Sequence, residues 1–98
     1  MTTTKSPTTF KVGTNHSVAV ADSSAVNSTA FLSETREVRI VCTVDAYVEF
    51  GASPTASSSS LIIPAYTPEY FRVAPGTKAA FLRVGSVTGT ARVTELTQ

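Results

Sequence analysis

Glu37-Val38-Arg39-Ile40-Val41-Cys42-Thr43-Val44-Asp45-Ala46-Tyr47-Val48-Glu49-Phe50 is apolar at every even position, and the charge falls on odd ones. Side chains alternate across a pleated strand. Val38, Ile40, Cys42, Val44, Ala46, Val48 and Phe50 can therefore share one buried face while Glu37, Arg39, Asp45 and Glu49 stay in water. The run is longer than the usual strand of about 5 or 6 residues, so a break is expected at Thr43 to Asp45. With Thr43-Val44-Asp45 as a hairpin loop, Ile40 comes opposite Val48 and Val38 opposite Phe50. A two-residue loop would instead pair Ile40 with Glu49 and bury an acid, and is rejected.

Upstream, residues 1–9 are polar, contain Pro7 and show no periodicity. They read as an N-terminal arm, either a frayed terminus or an extended segment that orders against a neighbouring subunit. The domain proper is expected over 10–98. Phe10 to Val12 reads as a short strand stopped by a Gly13-Thr14-Asn15 turn, and His16 to Ala21 as a second strand with Val18 and Val20 on one face. His16, the only histidine, is expected on a solvent-facing or strand-edge position. Between Asp22 and Glu34 the pattern is weak; a connection with one short strand near Ala30 to Leu32 is expected, anchored by Phe31 or Leu32.

Downstream, Ala52 to Ser60 reads as an exposed, mobile Ser-rich loop with no share in the core. Leu61-Ile62-Ile63 reads as a short buried strand. Glu69 to Val73 follows, with Phe71 and Val73 on one face and Tyr70 and Arg72 on the other. Pro75-Gly76 is the clearest turn, since proline presets φ and glycine accepts the positive φ of a type II turn. It is expected to close a hairpin whose second arm, Lys78 to Val84, buries Ala80, Leu82 and Val84. Phe81 then lies on the wrong parity unless another subunit covers it. Gly85 to Gly89 is a further turn, and Thr90 to Leu96 the last strand, with Ala91 and Val93 together.

About eight short strands with turns every ~8–12 residues, and no amphipathic helical stripe, predict an all-β fold: a small antiparallel β-sandwich, jelly-roll-like. The 98 residues suffice for one such domain. Charged residues make up 15% and the net charge is +1, so there is no basic stripe for nucleic acid. No apolar run is long enough to span a bilayer, and Met1 to Pro7 lacks the hydrophobic region of a signal peptide. Neither nucleic acid nor membrane is an expected partner, and synthesis and use from the cytosol without secretion is expected.

Cys42 is the only cysteine, so neither an internal disulfide nor a thiolate cluster is available, and its parity makes it a core residue. The Asn15-His16-Ser17 and Asn27-Ser28-Thr29 triplets are chance products of a Ser/Thr-rich chain. No nucleophile elbow, phosphate-binding glycine loop or zinc-binding His-Glu-x-x-His is present. Asp45, Glu49 and Glu69 are the candidates for a glycosidase-like acid pair, but alternating acids are the ordinary condition of a solvated sheet face. The reading is a non-enzyme with no cofactor and no metal.

Three segments carry a resemblance: Val38 to Ala56, Ile63 to Lys78 and Gly89 to Leu96. Within them stand Glu49-Phe50-Gly51, Pro54-Thr55-Ala56, Pro68-Glu69-Tyr70-Phe71 and Pro75-Gly76-Thr77-Lys78. Their order, over the last two-thirds of the chain, resembles small structural proteins of tailed bacteriophages. The resemblance implies a capsid cement or decoration protein on the outer face of the head, assembled in the host cytoplasm. It would bridge neighbouring copies of the major capsid protein by adhesion, each contact multiplied by the lattice. A neck- or tail-associated binding module is the alternative. A homo-oligomer, dimer or trimer, is expected. Candidate contact residues are Thr2, Pro7 and Phe10 in and beside the arm, Tyr66 and Tyr70, and Phe81 if its parity leaves it outward; each aromatic has the alternative role of capping the domain's own core.

Overall fold

The computed structural model describes residues 11–97. Val38, Ile40 and Cys42 face inward from β3 (Glu37–Cys42), as do Ala46 and Val48 from β4 (Ala46–Gly51). The alternation of the central run holds, and the break falls at Thr43 to Asp45. The break is not a hairpin loop, however. β3 pairs with β6 (Glu69–Arg72) and β8 (Gly89–Thr97), whereas β4 pairs with β5 (Leu61–Ile63) and β7 (Lys78–Arg83). Here the chain crosses from one sheet to the other, so Ile40 lies opposite Glu69 and Val93, and Val48 opposite Leu61 and Phe81. Facing sheets and a single sheet's inner face demand the same parity, which is why the pattern fits both arrangements.

With β1 (Lys11–Val20) and β2 (Ala25–Val26) added, the sheets run β1-β8-β3-β6 and β2-β7-β4-β5, antiparallel throughout. Successive strands alternate between sheets except for β4 and β5, which pair directly across the Ala52 to Ser60 loop. This is the strand order of an eight-stranded jelly roll. Val18, Val20, Val38, Ile40, Ala91 and Val93 of one sheet meet Ala46, Val48, Ile63, Ala79 and Phe81 of the other.

The structure corrects several local expectations. Gly13-Thr14-Asn15 is no turn; β1 runs through it, and the extra length is absorbed by a register shift against β8 between Val12 and Asn15. The short strand of the next connection is Ala25–Val26 and not Ala30 to Leu32. Phe31 does anchor that connection, fully buried and hydrogen-bonded through its backbone to Thr77 and Gly76. Asn27, also buried, accepts from the Ala79 N–H at 2.8 Å and donates to the Thr29 carbonyl. Of Leu61-Ile62-Ile63 only Ile63 is buried. The Ser-rich loop contributes Ala56 to the interior, its N–H held by Ser24 Oγ at 2.9 Å.

Pro75-Gly76 turns as expected, with Gly76 at φ +78°, but it joins strands of different sheets and closes no hairpin. The register of β7 is set by its neighbours. Phe81 stands opposite Val48 and Ala25, and directly opposed side chains share a face, so Phe81 points inward beside Ala79. Ala80 is buried as well, while Leu82 is half-covered and Val84 exposed. At the β7–β8 junction Gly89 allows a close approach: a Cβ there would lie 2.4 Å from Thr43 Oγ1, the atom that accepts the Thr90 N–H.

Cys42 is buried, and burial pushes its thiol up to about 11. So high a value leaves almost no thiolate at neutral pH. A thiol reagent is therefore expected to label the native protein about a hundredfold or more slowly than the urea-unfolded chain. Equal rates would show that the β3 end opens freely.

Candidate functional site

Two polar residues fall in phase with core positions. His16 continues the inward face of Val18 and Val20 on β1, and Glu95 that of Ala91 and Val93 on β8. The sheet register brings them together, with His16 Nε2 2.6 Å from Glu95 Oε2, both side chains buried. A carboxylate only accepts, so Nε2 carries the proton. The other oxygen, Oε1, accepts from the Leu32 N–H at 2.9 Å and from Thr35 Oγ1 at 2.5 Å. The His16 ring also meets Phe31 edge-on at 5.8 Å. His16 thus stands on an edge strand, one of the two positions expected for it, but its side chain turns into the interior and not to solvent.

Burial by itself would raise the Glu95 carboxyl. The hydrogen bonds from Thr35, Leu32 and His16, with the attraction of His16, outweigh it and leave the group below its ordinary value. Although His, Glu and Thr are all present, the connectivity is not that of a nucleophile relay: Thr35 donates to Glu95 and not to His16. With His16, Thr35 and Glu95 enclosed, the cluster works as a clasp joining β1, β8 and the β2–β3 connection. The sequence signal that finds it is the phase of each polar residue with its apolar neighbours.

The accessible chemistry lies elsewhere, along the side of the sandwich bounded by β5 and β6. Tyr66 is 71% exposed in the β5–β6 turn, where it adopts φ +57° and donates its N–H to the Cys42 carbonyl at 2.7 Å. Tyr70 is 55% exposed on the outer face of β6, opposite Arg39. Leu61 and Ile62 on β5 are at least half exposed. Between the sheets at this side, Phe50 and Phe71 are only partly covered, their rings 5.2 Å apart. Around the turn, a shallow cleft of about 310 Å³ is lined by Thr43, Val44, Asp45, Ala65 and Val87 among others. Asp45 accepts the Ala65 N–H at 2.8 Å, so its carboxylate braces the two loops against each other.

Of the contact residues expected from the sequence, Tyr66 and Tyr70 stand on this exposed side. Phe81 does not; it is 0% exposed in the middle of the core, which removes it from the contact set. Thr2, Pro7 and Phe10 lie outside the described residues. The candidate acids are dispersed, with Glu49 taken by Ser60 Oγ on β4 and Glu69 on β6 of the other sheet. Among the described residues, no three His, Cys, Asp or Glu side chains converge as a metal site would need. Leu61, Ile62, Tyr66 and Tyr70 are thus large exposed side chains on β5, on β6 and in the turn between them. No family model, curated protein or solved structure matches this chain.

Proposed function

We propose that this protein is a structural component of a tailed-phage virion, a cement or decoration protein. It would bind the outer capsid and bridge major capsid subunits. The observation that carries the reading is the exposed side at β5 and β6, where Tyr66, Tyr70, Leu61 and Ile62 offer large rigid contact area. The sequence resemblance supplies the virion context. Small contacts of this kind become durable on a lattice, because detachment of one copy leaves its neighbours in place and rebinding is local. No covalent step is required of any residue.

The test is to count copies in purified virions and to measure head binding. Hundreds of copies per particle support a lattice protein; six or twelve transfer the assignment to neck or tail, and absence from virions ends it. Tyr66→Ala with Tyr70→Ala is expected to weaken attachment to bare heads about tenfold or more, each being of the residue type that dominates interfaces. Unchanged attachment would move the contact surface elsewhere.

A further inference from the structure

The pairing pattern fixes which backbone groups of β6 remain unused. Thr43 donates to the Thr90 carbonyl at 2.9 Å and Val73 to the Arg36 carbonyl at 3.0 Å. In an antiparallel sheet the bonding side alternates residue by residue. Odd residues of β3 therefore bond to β8 and even residues to β6, which assigns Glu69 and Phe71 to the β3 ladder. The N–H and C=O groups of Tyr70 and Arg72 then point away from the sheet, along an edge that no strand of the described residues covers. β6 carries no proline or bulge within it; its charges are Arg72 on the outer face and Glu69 on the face of Ile40, and its four residues leave one short stretch of edge for pairing. At the far side of the same sheet, β1 is interrupted by its register shift and carries Lys11.

We infer that β6 pairs with β6 of a second copy of this chain, antiparallel about a two-fold axis at Phe71, joining the two four-stranded sheets into one. Self-pairing is the occupancy that the strand's own chemistry fits. Outward groups must meet outward groups, which leaves three registers: Tyr70 opposite Arg72 of the partner subunit, Tyr70 opposite its own counterpart, and Arg72 opposite its own counterpart, the last setting like charges face to face. The second register sets Arg72 against Pro68 of the partner subunit, which has no N–H to give. In the first register Tyr70 and Arg72 exchange both backbone hydrogen bonds with the partner's strand. Each Tyr70 ring then lies beside the guanidinium of the partner's Arg72 on the outer face, a cation on an aromatic. On the inner face the two Phe71 side chains meet, so that the partly covered Phe50 and Phe71 at this edge lose water. A parallel arrangement offers no such Tyr–Arg exchange. The inference shares Tyr70 with the proposed capsid contact but does not rest on it, since sedimentation of the free protein reads the dimer with no head present.

The test uses the full chain in sedimentation velocity from about 1 to 200 µM, the range in which interfaces of modest size associate. Wild type is expected to shift to twice the monomer mass. Arg72→Pro removes an N–H that the monomer leaves in solvent, where an edge strand tolerates proline. It is expected to abolish the dimer without changing the melting temperature by more than a degree or two. Tyr70→Lys, which sets a cation beside the partner's Arg72, should raise the dissociation constant at least tenfold and serves if the proline variant unfolds. Amide exchange gives an independent reading: the Tyr70 and Arg72 N–H groups should become protected as concentration rises, while that of Phe71, bonded within its own sheet, should not. A protein monomeric throughout the range overturns the inference. So does a dimer that survives both substitutions, because another surface or the N-terminal arm then makes it.

Discussion

Glu95→Ala is expected to lower the unfolding free energy by about 3–5 kcal/mol, since three buried donors lose their acceptor at roughly 1–3 kcal/mol each. The substitution leaves the Leu32 N–H, the Thr35 hydroxyl and His16 Nε2 facing a void, each having given up water to bond to this carboxylate. Urea denaturation at neutral pH measures the loss. Glu95→Gln should cost less, since an amide oxygen still accepts from Leu32 and Thr35 and its NH₂ can donate to His16 in the other tautomer.

The same residue sets a pH dependence. The native Glu95 carboxyl titrates below its unfolded value, so the native state holds fewer protons than the unfolded chain through the carboxylate range. Its contribution is complete above the unfolded pKa and is lost as pH falls through the native one. Urea midpoints measured from neutral pH downward should therefore fall less steeply in Glu95→Gln than in wild type. Parallel slopes would mean that the clasp adds nothing to acid sensitivity.

Phe81→Ala is expected to cost about 3–5 kcal/mol, with the lower end applying if the two sheets close partly over the gap. Phe81 is enclosed at the centre of the second sheet, with Val48 opposite on one side and Ala25 on the other. Tyr70→Ala is expected to stay within about 0.5 kcal/mol of wild type, as for an exposed substitution. Urea midpoints distinguish the two. A small effect at Phe81 together with a large one at Tyr70 would reverse the inside and outside assigned to β6 and β7.

Much of the architecture was legible because burial on one side of a strand writes a period of two into the chain. Val18 and Val20, the even residues from Val38 to Phe50, and Ala91 with Val93 all declared their inward faces in this way. The Pro75-Gly76 turn was legible because glycine there meets a positive φ. The contact candidates Tyr66 and Tyr70 were found as exposed aromatics, which only says that nothing on their own domain claims them.

The buried clasp is harder to read from the sequence. Polar residues are rarely fully enclosed unless paired, so the sequence alone points His16 to solvent or a strand edge and gives Glu95 no place in the interior. Each became an interior residue because the other stands across the β1–β8 ladder, separated by most of the chain. The sequence alone does not place Phe81, because Lys78 to Val84 is apolar at both parities. Only pairing with Val48 and Ala25 chose between them.

By itself the sequence determined that this chain makes short strands, where most of them begin and end, and which side chains of the regular ones face inward. All of these are consequences of local φ preference and side-chain alternation. Which strands lie side by side was decided by the tertiary structure alone. A turn that folds a strand back onto its neighbour and one that carries it across to the opposite sheet bury the same residues, and they differ only in long-range hydrogen bonds that no local pattern records.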